Sequence, residues 1–169
     1  AQEGTEGTAA GLVGLIVANS FMKREFGRKL IERVLPRLDL THVVDCSDAY
    51  IPGHGTPTAI LYGRNRAPVA SVVRTVRKMR GEGTTPENPA QGLVWLAIVA
   101  QTDLSKSESP FISTEDTPRD ALAHFPWSLG GGGAAEVQEL IEEDRPLLGR
   151  WATSIGFFAM SHADEAFEH

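Results

Sequence analysis

Tyr50, His54 and Thr56 lie within seven residues of one another in YIPGHGTP (50–57), among two prolines and two glycines. A ring, an imidazole and a hydroxyl on a backbone shaped by proline and glycine are what a binding loop presents: one flat face for stacking and two groups for hydrogen bonds. Upstream, Asp45 and Cys46 (VVDCS) invite a second reading, a thiol nucleophile with His54 as its base. No third group or oxyanion donor accompanies it, so the cysteine reads as a small buried hydrophobe. The histidines at 42, 54, 124, 162 and 169 have no metal-ligand spacing. Gly130 to Gly133, before Ala134, could suggest a phosphate cradle. HFPWSL ahead of them does not read as a strand, however, and Glu136 follows closely, so a hinge is the better reading.

Charge adds a second feature. Residues 1 to 48 carry six basic and seven acidic side chains, and residues 82 to 169 carry four basic and fifteen acidic ones. Between them, Arg64, Arg66, Arg74, Arg77, Lys78 and Arg80 stand without a single acidic residue. A basic block directly after a candidate binding loop has backbone phosphates as its obvious counter-charge. Two plainer explanations compete: a solvated sheet edge, or neutralisation by the acidic block inside the fold.

The elements that would hold these residues follow from periodicity. GLVGLIVAN (11–19) reads as a strand buried on both faces, LTHVVDCS (40–47) as a second strand and TPTAILYG (56–63) as a third. KREFGRKLIERVLPR (23–37) places Phe26, Leu30, Ile31, Val34 and Leu35 on one stripe, which predicts an amphipathic helix over 23–35 capped by Ser20 and ended by Pro36. APVASVVRTVRKM (67–79) is β-branched and predicts a fourth strand. LVWLAIVAQ (93–101) fits a buried helix or a strand, and DLSKSESPFISTED (103–116) a polar loop. TPRDALAHF starts a short helix with Pro118 near its first position, and residues 134–158 start an acidic amphipathic helix interrupted at Pro146. Ten residues between the second and third strands are about too few for a crossover helix, so the third should return antiparallel beside the second, in one sheet with the first.

The 169 residues suffice for one domain with a proper core, and 41% hydrophobic with 22% charged residues is ordinary for a globular protein. A lone cysteine excludes a disulfide framework, and no apolar run reaches membrane-spanning length. A soluble, cytoplasmic protein is the expectation. AQEGTEGTAAG reads as a tail or linker.

With this topology in hand, the segment from Gly11 to Arg66 resembles the later part of the catalytic domain of adenine-specific DNA methyltransferases, above all the large methyltransferases of bacterial phage-growth-limitation (BREX-type) defence systems. ANSFMKREFG (18–27) and YIPGHGTPT (50–58) carry most of the resemblance, and RGEG (80–83), GLVW (92–95) and FPWSLGGGGA (125–134) continue it. It covers roughly residues 10 to 165. The resemblance implies an α/β fold: the C-terminal half of a class I, Rossmann-like methyltransferase sheet ending in an antiparallel hairpin, followed by a mainly helical extension. The divisions it implies are a tail at 1–10, the back half of the methyltransferase core at 11–80, and an extension at 81–169 leading towards a recognition domain.

The same resemblance implies S-adenosylmethionine as the cofactor of the complete enzyme, with double-stranded DNA, other parts of the methyltransferase and other defence proteins as partners. Its glycine-rich cofactor motif and its Asn-Pro-Pro-aromatic motif do not occur here; Glu87-Asn88-Pro89-Ala90 is the nearest string. The segment is therefore expected to hold no catalytic residue and to transfer no methyl group alone. In the family the hairpin loop lies beside the flipped adenine, which implies a target-base contact by Tyr50, the best aromatic match, with Ile51 and Pro52 one register away and His54 and Thr56 adding hydrogen bonds. It also implies DNA contacts by the six basic residues. A flipped base has lost its stacking and regains it against a flat side chain. The plainer reading is a proline-rigid turn whose Tyr50 covers the core edge. The alternative is a non-catalytic DNA-binding or protein-interaction module that keeps the fold.

Overall fold

The computed structural model describes residues 10–129. Six strands form one sheet: β1 (Leu12–Ala18), β2 (Asp39–Asp45), β3 (Thr58–Arg64), β4 (Val72–Lys78), β5 (Lys106–Glu108) and β6 (Ile112–Pro118), in the order β1-β3-β2-β4-β6-β5. β3 lies between β1 and β2 and runs antiparallel to both, so β1 and β2 are parallel with β3 inserted. The antiparallel return of β3 and the membership of all three in one sheet are as the short connection requires. β4 adds to β2 in parallel, and β6 and β5 follow antiparallel.

The register explains the two-sided core. Val43 and Val44 are neighbours in β2, and a strand sends successive side chains to opposite faces. Val43 joins Phe21, Met22, Ile31, Leu35, Leu61, Val73 and Trp127 on one face. Val44 joins Cys46, Val76, Val94, Ile98 and Ile112 on the other. The first face is covered by residues 19–37 and 119–129. The second is covered by α1 (Leu93–Gln101).

The strand expected over 11–19 is present as β1 but is not buried on both faces: it is an edge strand paired only with β3, none of its residues is buried, and Leu12, Leu15 and Ile16 are exposed. Three further expectations need correction. The helix over 23–35 is instead a chain of short turns: 3-10 at Asn19–Met22 and Glu25–Gly27, π-helical at Leu30–Val34, and 3-10 again at Leu35–Arg37. Gly27 is the physical reason. A Cβ there would stand 1.8 Å from the Phe21 carbonyl oxygen, so the chain doubles back tightly and buries Phe21 and Met22 while Phe26 stays 71% exposed. Val34 is also exposed, and Ile31 and Leu35 hold the buried stripe. LVWLAIVAQ is a helix, yet only Val94 and Ile98 are buried, with Leu93, Leu96 and Val99 exposed.

The third correction is the polar stretch 103–116, which supplies β5 and most of β6. Its strands are held by polar cross-strand partners: Arg74 to Asp116 at 2.6 Å, Thr75 to Thr117 at 2.7 Å, and Arg77 to Glu115. The sheet therefore continues across residues 80 and 81. The short helix expected after Pro118 is a 3-10 turn, Arg119–Ala123. The glycine run at 130–133, the helix expected from 134 and the rest of the helical extension lie outside the described residues.

Candidate functional site

Because β1, β2 and β4 are mutually parallel, their C-terminal ends share one end of the sheet, where the loops of open α/β sheets gather ligand-binding groups. β1 leads there into Asn19 and Ser20, β2 into the loop 46–57, and β4 into the connection 79–92.

The loop 46–57 is built from its own turn chemistry and pinned from outside. Ile51 and His54 bridge to each other, with His54 N donating to the Ile51 carbonyl at 3.1 Å, and Pro52 and Gly53 make the turn between them. Gly53 has φ of 68°, a conformation that strains any side chain. Trp95 Nε1 donates to the Tyr50 carbonyl oxygen at 2.9 Å, and Asn19 Nδ2 donates to Ser47 Oγ at 2.7 Å. Asp45, buried at the end of β2, accepts from the Ser47 backbone N at 3.0 Å and from the Ser47 hydroxyl.

Two strings that seemed only to continue the resemblance prove to be supports of this loop. In RGEG, Gly81 packs against Asp48 (a Cβ there would lie 3.2 Å from that side chain), and Glu82 accepts from the backbone N of Leu93 and Val94, capping α1 at its N-terminus. In GLVW, Trp95 holds Tyr50. Sequence reasoning missed these roles because they join residues from 11 to 45 positions apart, beyond any local period.

The predicted base-contact residues are divided between two cavities. Tyr50 lines one of about 380 Å³ with Asp48, Gly81, Glu82, Gly83, Thr84 and Thr85. Ile51 and His54 line another of about 380 Å³ with Ile16, Val17, Ala18, Thr56 and Thr58, mainly apolar and set against the end of β1. Pro52 is exposed at the turn.

The basic block is mostly engaged inside the fold. Arg66 pairs with buried Asp39 at 2.8 Å, and Lys78 with Asp48 at 3.2 Å. Arg74 pairs with Asp116, and Arg77, itself buried, with Glu115. Arg64 and Arg80 are exposed and have no ion pair among the described residues. Neutralisation between the blocks thus accounts for Arg74 and Arg77, whose partners Glu115 and Asp116 come from the acidic part of the chain.

Cys46 is buried, and burial pushes its thiol above its ordinary value while Sγ lies 3.4 Å from the Thr58 carbonyl. A protonated, enclosed thiol is a packing group. No cluster of three or more metal-ligating side chains occurs among the described residues. No helix among them is long and apolar enough to cross a membrane.

The class defined by this architecture is α/β: a mixed six-stranded sheet with helical segments packed on both faces. No protein-family model matches the chain. Over 98% of its length it is 46% identical to a protein described as adenine-specific methyltransferase PglX, from Streptomyces coelicolor (strain ATCC BAA-471 / A3(2) / M145). The chain is thus a relative, over one segment, of that adenine-specific methyltransferase, and it spans 14% of the relative's length.

Proposed function

We propose that the chain is a segment of an S-adenosylmethionine-dependent adenine-N6 DNA methyltransferase of a bacterial anti-phage system, in which it supplies sheet, one wall of the target-base pocket and DNA contacts. The observation that carries this reading is the 46% identity over 98% of the chain to an adenine-specific methyltransferase. The β1-β3-β2 order, an antiparallel strand between two parallel ones, supports it as the C-terminal end of a class I methyltransferase sheet.

Within that reading the chain's own residues do binding and positioning work. The mainly apolar cavity of Ile51, His54 and the end of β1 suits a purine better than the cavity of Tyr50, which Asp48 and Glu82 make acidic. Ile51 and Pro52 offer it an apolar surface and His54 a hydrogen-bonding group, while the Tyr50 backbone carbonyl, held by Trp95, fixes the start of the loop. Arg80, just past the loop end of β4 and free of ion pairs among the described residues, is the member of the basic block best placed to meet DNA phosphates. Arg64 is equally unpaired among them but lies at the other end of the sheet, opposite Leu12 and Asp39. The described residues do not fit S-adenosylmethionine. β1 passes into the turn Asn19–Met22 without the glycine-rich backbone that the cofactor's strand–turn–helix requires, so its site is assigned to other parts of the enzyme.

The test is methyl transfer from labelled S-adenosylmethionine to duplex DNA. The complete protein containing this chain should produce N6-methyladenine, and the 169-residue chain alone should produce none. Ile51→Ala in the complete protein should slow transfer by roughly tenfold, the loss of about 1–2 kcal/mol of apolar contact with the base. Tyr50→Ala should do less. Transfer by the isolated chain would refute the segment reading, and inactivity of the complete protein would leave the non-catalytic module.

A further inference from the structure

At the same end of the sheet, a third cavity of about 340 Å³ is lined by Asn19, Ser20, Met22, Lys23, Arg24, Asp45, Lys78, Trp127 and Leu129. Three of these side chains are cationic and one is anionic. Lys78 is paired with Asp48, and Asp45 accepts from Ser47 but keeps its negative charge, so the unpaired charges are the cations Lys23 and Arg24 against one carboxylate. Both are exposed, and neither has an ion pair among the described residues. They are held at the mouth by a tight turn, since the backbone N of each donates to the Ser20 carbonyl oxygen, at 3.2 and 2.9 Å. The back wall is firm as well: Trp127 is 2% exposed, with its ring nitrogen donating to the Leu122 carbonyl and its backbone N to the Met22 carbonyl.

We propose that this cleft is a phosphate site: Lys23 and Arg24, with the Asn19 amide and the Ser20 hydroxyl, hold a phosphodiester of the DNA backbone beside the target base. The inference rests on the methyltransferase reading and adds residues outside the loop and outside the basic block. Two unpaired cations against the single Asp45 carboxylate leave a net positive charge, which with the Asn19 amide and Ser20 hydroxyl suits the single charge and the acceptors of a phosphodiester. The position follows from contacts already described. Asn19 and Lys78, both lining the cleft, bond to Ser47 and Asp48 at the start of the loop 46–57. A base turned out of a duplex carries its own phosphates with it, so a phosphate clamp joined to the base loop holds the strand in the extruded geometry.

The experiment measures binding of a labelled duplex to the 169-residue chain by fluorescence anisotropy across a salt series, for the unsubstituted protein, Lys23→Ala/Arg24→Ala and Arg64→Ala/Arg80→Ala. Lys23→Ala/Arg24→Ala should weaken binding by roughly tenfold and lower the salt slope by about 1–2. Both side chains are exposed, so an unchanged circular dichroism spectrum is expected, and Lys23→Arg should restore part of the loss. Duplex binding that depends on Arg64 and Arg80 and ignores Lys23 and Arg24 would overturn the cleft while leaving DNA as the partner. Duplex binding by the complete protein containing this chain that is unchanged in Lys23→Ala/Arg24→Ala, or binding of inorganic phosphate alone, would also overturn it. The methyltransferase reading would then still be decided by methyl transfer from the complete protein.

Discussion

The two faces of the sheet are covered very differently. On the face of Val43, the turns 19–37 and the segment 119–129 close over Leu61 and Val73, and large side chains such as Ile31 are fully enclosed. On the face of Val44, α1 covers only the row Ile60, Val44 and Val76. The next row, Gly14, Tyr62, His42, Arg74 and Asp116, stays partly open, with Tyr62 at 44% exposure. The closed face holds the fold together mainly by apolar burial, with Thr75–Thr117 and Arg77–Glu115 at its β4–β6 side. The second face combines a narrower apolar patch with the Arg74–Asp116 pair, and one end of the sheet is left for the loops.

This contrast can be broken by stability measurements, using urea unfolding midpoints. Ile31→Ala on the closed face should cost about 2–5 kcal/mol, the range for a large buried aliphatic cut to alanine. Gly27→Ala should cost about 1–3 kcal/mol, because its methyl has only the Phe21 backbone to displace. Ile98→Ala, beneath α1, should fall near about 2 kcal/mol, the low end of the same large-to-small range. Leu96→Ala, on the exposed side of α1, should change stability by less than about 0.5 kcal/mol. If Ile98→Ala proved costlier than Ile31→Ala, the closed face would not be the principal core.

The smallest effect concerns pH and sharpens the open row. Burial first, and then the Arg74 charge, hold the His42 pKa below its ordinary 6.5. Folding therefore favours the neutral ring. Stability should be complete above that value, decline as pH falls through it, and stop declining below the depressed folded value. His42→Gln should flatten this decline between about pH 7.5 and about pH 5. An unchanged slope would show that the ring is not shielded in the open row.

Much of the first half of the sheet was legible because its signals are local. GLVGLIVAN, LTHVVDCS and TPTAILYG are apolar runs of strand length, and the connection between the last two is too short for a crossover. β6 was not legible. Ser113, Thr114, Glu115, Asp116 and Thr117 carry no apolar alternation, and their strand is stabilised by partners about 40 residues away on β4. The helix over 23–35 failed for a different reason: the stripe was real in part, but Gly27 lets the backbone approach Phe21 too closely for a regular helix to pass. At the candidate site, the loop was recognisable from proline and glycine, whereas its supports Asn19, Gly81, Glu82 and Trp95 were not.

By itself the sequence determined the strands β1 to β3, their hairpin return, the shaped loop at 50–57 and the resemblance to adenine-specific methyltransferases. Those depend on neighbours along the chain and on side-chain volume and period. Only the tertiary structure decided which charges remain available. Arg66, Arg74, Arg77 and Lys78 look the same in sequence as Arg64 and Arg80, yet the first four meet carboxylates on other strands and loops. Coulomb attraction acts through space and falls with distance and screening, so pairing is set by tertiary neighbours: β6 beside β4 for Arg74 and Arg77, Asp39 of β2 for Arg66, and Asp48 after β2 for Lys78. The turn that follows β1 sets Lys23 and Arg24, separated from that block by about 40 residues, beside the loop they are proposed to serve.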